Sequence, residues 1–389
     1  MAVTGRVVKQ FKKPDFLLLA LMGMLLILGL QAVYSASFVL CLTQYADATY
    51  FVKRQGIWAA IGVVLLLVCA RVDYHRWKAL SPWFMLISVG LLVAVMVPGI
   101  GIVQNGAARW IRLDPLPAPQ PSEFTKIALI MYMAAWLSTR GEKLDRLTLS
   151  FVPFVLIVSL VCGLILMEPD MGTAVVILVT AVTLYFLAGG RIRHMILLGL
   201  SSIGAGFLMV TGAGYRLDRW LTFVNPWADP QGKGFHIIQS LIALGSGGLF
   251  GLGLGASRQK FFYVPGSHTD SILAIIGEEM GLVGTLLVIT LFSALIYRGF
   301  RTALEAPDEY GSLLALGIIC LIGYQALINM AGITKSIPLT GITLPFISYG
   351  GSSLASFMAA IGILLNISKQ AAVQDGKSRA KSGGGTRGT

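Results

Sequence analysis

Residues 261–284 read FFYVPGSHTDSILAIIGEEMGLVG. The stretch closes the longest polar interruption of the chain and runs directly into an apolar helix that still carries Glu278 and Glu279, just behind His268 and Asp270. An ionisable residue at the mouth of a membrane helix is costly unless it meets water, a partner or a substrate. Asp270 is therefore the leading candidate for chemistry, and the rest of the chain has to show what it acts on.

Outward from this stretch the chain is uniformly greasy. Of its 389 residues, 56% are hydrophobic and 12% charged, and the mean hydropathy is +0.77. A soluble domain carries about 25% charged residues. The apolar runs are long enough for many spans of about 20 residues, so the chain reads as an all-α, polytopic membrane protein. The net charge of +12 does not indicate nucleic acid, because the Lys and Arg residues sit in short clusters between spans. Cys41, Cys69, Cys162 and Cys320 lie in or beside apolar segments without ligand-like spacing and read as small hydrophobes. The apolar run that follows the basic N-terminus exceeds 20 residues and ends in no small-residue cleavage site, so it reads as a retained span.

Ten spans are expected, starting near Phe16, Gly56, Leu80, Phe124, Phe151, Met171, His194, Asp270, Leu313 and Leu344. A basic segment, residues 1–15, precedes a membrane domain over 16–368. A large outer loop covers about 212–269, between spans 7 and 8. The basic, Gly- and Ser-rich tail over 369–389 is expected to be disordered. With ten spans both termini share a side. That side collects 19 of the 30 Lys and Arg residues, so the positive-inside rule puts both termini in the cytoplasm. Phe235 to Leu254 is apolar enough for an eleventh span, but that count would put the basic tail outside. Its glycine-rich second half argues for a re-entrant or interfacial helix. Tyr215 to Trp227 mixes Arg216 and Arg219 with Trp220, Phe223 and Trp227, as in a segment lying at the headgroup level.

This topology gathers the ionisable residues on the outer side. Arg109, Trp110 and Arg112 precede span 4, and Glu123 and Lys126 lie one turn apart at its outer end. Glu168 and Asp170 occupy the link between spans 5 and 6, His268 and Asp270 open span 8, and Lys335 lies in the last outer loop. Bland roles exist for several of them. Glu123 and Lys126 can pair with each other at i and i+3. Asp170 can cap the helix that follows it. Glu278 and Glu279 cannot both face lipid. The residues by themselves indicate an outward-facing polar cavity holding carboxylates and cations, suited to a substrate with a lipid tail and an anionic headgroup, or to a transporter. No inverted repeat is visible, and there is no nucleotide-binding loop or Gly-x-Ser-x-Gly elbow.

NGAARWI with QPSEFTK, EPDMGTA, PGSHTDSILAIIGEEMGLVG and TGITLPFISYGGSS follow one another in the order seen in the FtsW/RodA/SpoVE (SEDS) family, which the chain resembles over about residues 14–368. The resemblance implies a peptidoglycan glycosyltransferase of the bacterial cytoplasmic membrane. It would polymerise lipid II on the outer face into a nascent β-1,4 glycan strand, during elongation or division. It implies Asp270 as the catalytic residue and Arg109, Glu123, Lys126 and Asp170 as functional positions. His268 and Lys335 are added as substrate-binding candidates from their place on the outer face. It also implies a class B penicillin-binding protein as partner. A divalent cation, magnesium or manganese, could help the leaving diphosphate, as could Arg109 or Lys126. The chain departs from the family pattern at Gly266, Ser267 and Ser271, losing an acidic and an aromatic neighbour of the HTD motif, and Thr340 stands where a lysine is common. A lipid II flippase and a non-catalytic scaffold for a penicillin-binding protein are the competing readings.

Overall fold

The computed structural model describes residues 14–104, 106–113, 118–141, 147–211 and 214–371. The basic N-terminus and most of the basic tail lie outside them. The elements are α1 (Phe16–Tyr45), α2 (Tyr50–Arg71), α3 (Tyr74–Val95), a hairpin of β1 (Gly101–Gln104) and β2 (Ala107–Ile111), α4 (Pro121–Leu137), α5 (Val152–Met167), α6 (Met171–Leu187), α7 (Ile192–Thr211), α8 (Gly214–Val224), α9 (Phe235–Ser246), α10 (Ile272–Leu304), α11 (Glu309–Ile333) and α12 (Gly351–Ala371). The protein is a polytopic helical bundle. Seven of the described helices are long and apolar enough to cross a membrane. The 17-residue α4 and α6, together with α7, complete the ten expected spans.

The helices begin where the sequence supplies acceptors for their free amides. Asp15, Asp73, Asp170 and Asp308 each accept a backbone N–H from the first turn of α1, α3, α6 and α11. Side-chain bonds also sort the helix ends. At one end Asp15 pairs with Arg298 at 2.5 Å, His75 meets Asp308 at 2.9 Å, and Asn366 accepts from the amide of Tyr74 at 3.0 Å. These contacts bring the starts of α1, α3 and α11 to the ends of α10 and α12. The sequence motifs all fall at the opposite end. α11 and α12 are the innermost helices, with most of their residues buried.

The large loop is where the fold departs from simple spans. α9 has 12 residues, about 18 Å of helix, against about 30 Å of hydrocarbon, so it does not cross. Only the first part of the expected Phe235–Leu254 helix forms. The glycine-rich second half leaves the helix and folds back against α10. There α10 is interrupted: Gly281 has φ 65° and ψ −159°, which separates a short outer half from a long inner half. The amides of Leu252 and Gly253 donate to the carbonyls of Glu278 and Glu279 at 3.0 Å each. In return Leu282 and Val283 donate to Gly248 and Leu249 at 2.9 and 3.1 Å. A broken helix survives at membrane depth only when the freed backbone groups find new partners, and the re-entrant loop supplies them.

Glu278 and Glu279, both buried, complete this arrangement. Glu278 accepts from the Ser257 hydroxyl at 2.5 Å and the Arg258 amide at 2.9 Å. Glu279 accepts from Ser35 of α1 at 2.6 Å and pairs with buried Lys260 at 3.2 Å. Both carboxylates therefore face protein and fasten the loop.

Candidate active site

Of the polar residues that sequence reading places on the outer side, Glu123 and Lys126 pair with each other, and most of the others are held by backbone groups or neighbouring side chains. Glu123 and Lys126 form an ion pair at 2.7 Å inside the bundle, 8% and 1% exposed, and Lys126 also donates to Gln325 of α11 at 2.6 Å. The cavity beneath Lys126, between α4, α6 and α11, is otherwise lined mostly by apolar side chains such as Ile130, Met133 and Leu184. The i, i+3 pairing open to these two residues is thus the one that forms. Lys126 meets its counter-charge and an amide instead of an open anion site, because an unpaired ammonium at that depth is too costly.

Arg109, on β2, has an equally specific occupation. Its Nε donates to the carbonyl of Glu168 at 3.0 Å and a terminal nitrogen donates to the carbonyl of Pro169. Arg109 therefore holds the α5–α6 link in place, and only its remaining N–H groups are left for a ligand. Asp170 accepts the Thr173 amide at 3.1 Å and the Thr173 hydroxyl at 2.9 Å, so it caps α6. The Gln120 side chain reaches the same Oδ2 that Thr173 Oγ1 donates to, at 3.5 Å, and the Gln120 backbone N–H donates to the Ser352 hydroxyl of α12 at 2.9 Å. Glu168 is buried, and among the described residues neither of its carboxylate oxygens is hydrogen-bonded. Burial, then the neighbouring Asp170, pushes its carboxyl up to about 8.

Asp270 lies on the turn between the re-entrant loop and α10, one residue before the helix cap Ser271. Thr269 donates to its Oδ1 at 3.0 Å. Among the described residues none hydrogen-bonds Oδ2, and the bare Cα of Gly341 lies across from it. Asp270 differs from ion-paired Glu123 and helix-capping Asp170 in being neither, and from buried Glu168 and Glu278 in being only half-buried. Its backbone is fixed from α11: Asn329 donates to the Asp270 carbonyl at 2.8 Å and to the Ile342 carbonyl at 2.8 Å. One turn earlier Gln325 donates to the Thr343 carbonyl at 3.0 Å. The extended stretch 340–343 thereby becomes the hub that joins the Asp270 turn to the α4 ion pair.

His268, the neighbour of Asp270 in the motif, packs between Phe51 and Tyr349, with ring centroids 4.4 and 5.7 Å away. Its carbonyl accepts the Tyr349 amide at 2.8 Å. Burial lowers its imidazole to about 4, so it is a neutral packing element. Lys335 stands on the turn after α11 with φ 56°, half-buried, and among the described residues no bond ties its ammonium to Asp270.

Three residues close to this site were not singled out by sequence reading. Gln325 and Asn329 were legible in principle as two amides at i and i+4 in an otherwise apolar span. His236, at the start of α9, lies 2.6 Å from the Ser271 hydroxyl and gave no sequence signal beyond being a lone histidine. Nor do the described residues contain three carboxylate, imidazole or thiolate groups gathered as a cation cage.

The motifs converge as one polar cluster at one end of the bundle, and that arrangement agrees with known proteins. The model of the FtsW/RodA/SpoVE family, described as cell cycle protein, matches residues 15–373. The chain belongs to this family. It is 47% identical over 356 residues to stage V sporulation protein E of Bacillus subtilis, covering 92% of this chain and 97% of that one. It is 42% identical over 364 residues to a probable peptidoglycan glycosyltransferase FtsW of Geobacter sulfurreducens, covering 94% and 97%. Among solved structures it resembles a chain of a peptidoglycan synthase complex that coordinates polymerization and crosslinking, with TM-score 0.74, 29% identity, and 91% and 97% of the two chains covered. It also resembles the rod shape determining protein RodA of Thermus thermophilus, with TM-score 0.67, 28% identity, and 91% and 96% covered. Family membership accounts for the order of the motifs; the geometry shows what joins them.

Proposed function

We propose that this FtsW/RodA/SpoVE family member polymerises lipid II into β-1,4 glycan on the outer face of the cytoplasmic membrane, with Asp270 as the general base. The chain is a glycosyltransferase of cell-wall synthesis, as its relatives are. The observation that carries the assignment to Asp270 is its freedom: every other outer carboxylate among the described residues is paired, capping or buried. The donor sugar is α-linked to its lipid diphosphate and the product is β-linked, so the anomeric carbon inverts. The acceptor 4-hydroxyl oxygen attacks that carbon, its proton passes to the Asp270 carboxylate, and the carbon–oxygen bond to the diphosphate breaks. The diphosphate leaves as an anion and needs positive charge, not a proton. Lys126, committed to Glu123 and Gln325, is poorly placed to give it. Arg109 contributes through its remaining N–H groups. Arg219 of α8, whose guanidinium lies 3.5 Å from the Leu339 carbonyl, and Lys335, on the turn after α11, are further cations of the chain that could meet the diphosphate.

A class B penicillin-binding protein is the partner this reading requires, to crosslink the strands the chain makes. The likeness to a synthase complex that joins polymerization to crosslinking supports it. The deciding experiment is lipid II polymerisation by detergent-purified protein, with thermal stability measured alongside. Asp270→Asn keeps the side-chain shape and removes the base, so the rate should fall by about 10² to 10⁴ at unchanged stability. Wild-type polymerisation by Asp270→Asn would reject Asp270 as the base, whereas no polymerisation by the wild-type protein itself would favour the flippase or scaffold reading.

A further inference from the structure

His236 lies on α9, the short re-entrant helix, 35 residues before Ser271, and its Nε2 sits 2.6 Å from the Ser271 hydroxyl. Ser271 is the residue at which α10 starts, directly after Asp270. The imidazole is also within electrostatic reach of the Asp270 carboxylate. We propose that His236 is a positioning residue for Asp270: neutral, it holds the turn through Ser271, and protonated, it pairs with the Asp270 carboxylate and withdraws the base. The inference rests on the reading of Asp270 as base.

The surroundings of His236 make this a working device. The charged groups that face it are Asp270, from the turn before α10, and Arg219, from α8. Asp218 and Lys233, the other charges nearby, are occupied with each other at 2.8 Å. Burial and Arg219 disfavour the imidazolium while Asp270 favours it, and the balance lowers its proton affinity from the ordinary histidine value. At neutral pH the ring is therefore uncharged and serves only as a hydrogen-bond partner of Ser271. On acidification it gains a proton, and the new cation competes with the acceptor hydroxyl for the same carboxylate. Proton uptake by His236 and loss of a free base at Asp270 become one event.

The test is the pH profile of lipid II polymerisation by the full-length purified enzyme between about pH 5 and 8. His236→Gln retains a hydrogen-bonding side chain at Ser271 but cannot titrate, and His236→Asn serves as a second non-titrating variant should the first be unstable. Each should move the acid limb to lower pH by about one unit, which is roughly tenfold more activity at the acid end relative to the neutral plateau. A merely structural role would lower the whole profile without displacing the limb. Acid limbs that superimpose on wild type in both variants would overturn the proposal. If Asp270→Asn were also fully active, the reading of the base itself would fall; if Asp270→Asn were inactive, only the role of His236 would.

Discussion

The amide nitrogen of Asn329 donates to the carbonyl of Asp270 and to the carbonyl of Ile342, each at 2.8 Å. One buried side chain thus ties the turn bearing the base to the extended stretch before α12. Asn329→Ala removes both bonds and leaves two sheltered carbonyls without a donor, at a cost of about 1–3 kcal/mol for each that stays dry. Purified Asn329→Ala should melt several degrees lower and polymerise lipid II more slowly even at temperatures where it is fully folded. Wild-type turnover in the folded variant would show that the Asp270 turn keeps its position without this bridge.

The re-entrant loop makes a sharper prediction about stability. Gly251 has φ 81°, and a Cβ added there would lie 2.1 Å from the carbonyl oxygen of Glu279. Gly251→Ala should therefore break the pairing that satisfies α10 at Gly281. The left-handed backbone alone costs about 1–2 kcal/mol for a residue with a side chain, and the clash adds to it. Gly245→Ala is the control: it sits in α9 with open space around the added atom, and alanine is the better helix former. Thermal melts of the two variants should separate clearly, with Gly245→Ala at or above wild type. Equal melting temperatures would mean that the loop does not support α10.

Much of this architecture was legible in the sequence because lipid imposes it. Long apolar runs have to be helices, and clusters such as Arg71, Arg76 and Lys78 mark their ends. The pairing of Glu123 with Lys126 and the cap at Asp170 were readable from spacing alone. Three features were hidden. Leu344 to Gly350 is as apolar as a span and was expected to open the tenth, yet α12 starts at Gly351. Tertiary hydrogen bonds from Gln325 and Asn329 hold the preceding stretch extended, and hydropathy cannot register them. The break in α10 depends on backbone bonds from a loop some thirty residues earlier. Arg109 reads as an anion ligand from its chemistry, but its fork fits the two carbonyls of Glu168 and Pro169 equally well. Such choices are made by distance in space.

Orientation across the membrane follows from charge, and it is open to direct measurement. With 19 Lys and Arg residues on one side of the ten-span reading and 11 on the other, both termini are expected in the cytoplasm. A reporter fused after Lys369 should behave as cytoplasmic, and one inserted near Gly232, in the loop that carries α8 and α9, as extracytoplasmic. The opposite pattern would place Asp270 on the cytoplasmic face, away from any glycan. Both reporters on the extracytoplasmic side would instead overturn the reading of Phe235 to Leu254 as non-crossing.

Glu168 provides a pH test independent of catalysis. It is 1% exposed, its carboxylate has no hydrogen-bond partner among the described residues, and it lies near Asp170, whose charge works with burial to raise its carboxyl from 4.5 to about 8. Between those values the folded chain holds a proton that the unfolded chain has released. Stability should therefore be fully present below about pH 4.5 and decline as pH rises through 8, because each step upward favours the state that binds fewer protons. Arg109, bonded to the Glu168 carbonyl, softens the effect without reversing it. Glu168→Gln imitates the protonated form at every pH. Its melting temperature should match wild type near pH 5 and exceed it by several degrees near pH 9, with the gap opening across the window. Parallel melting curves for the two proteins over that range would show that the Glu168 carboxyl ionises normally and that water or an ion reaches it in the folded state.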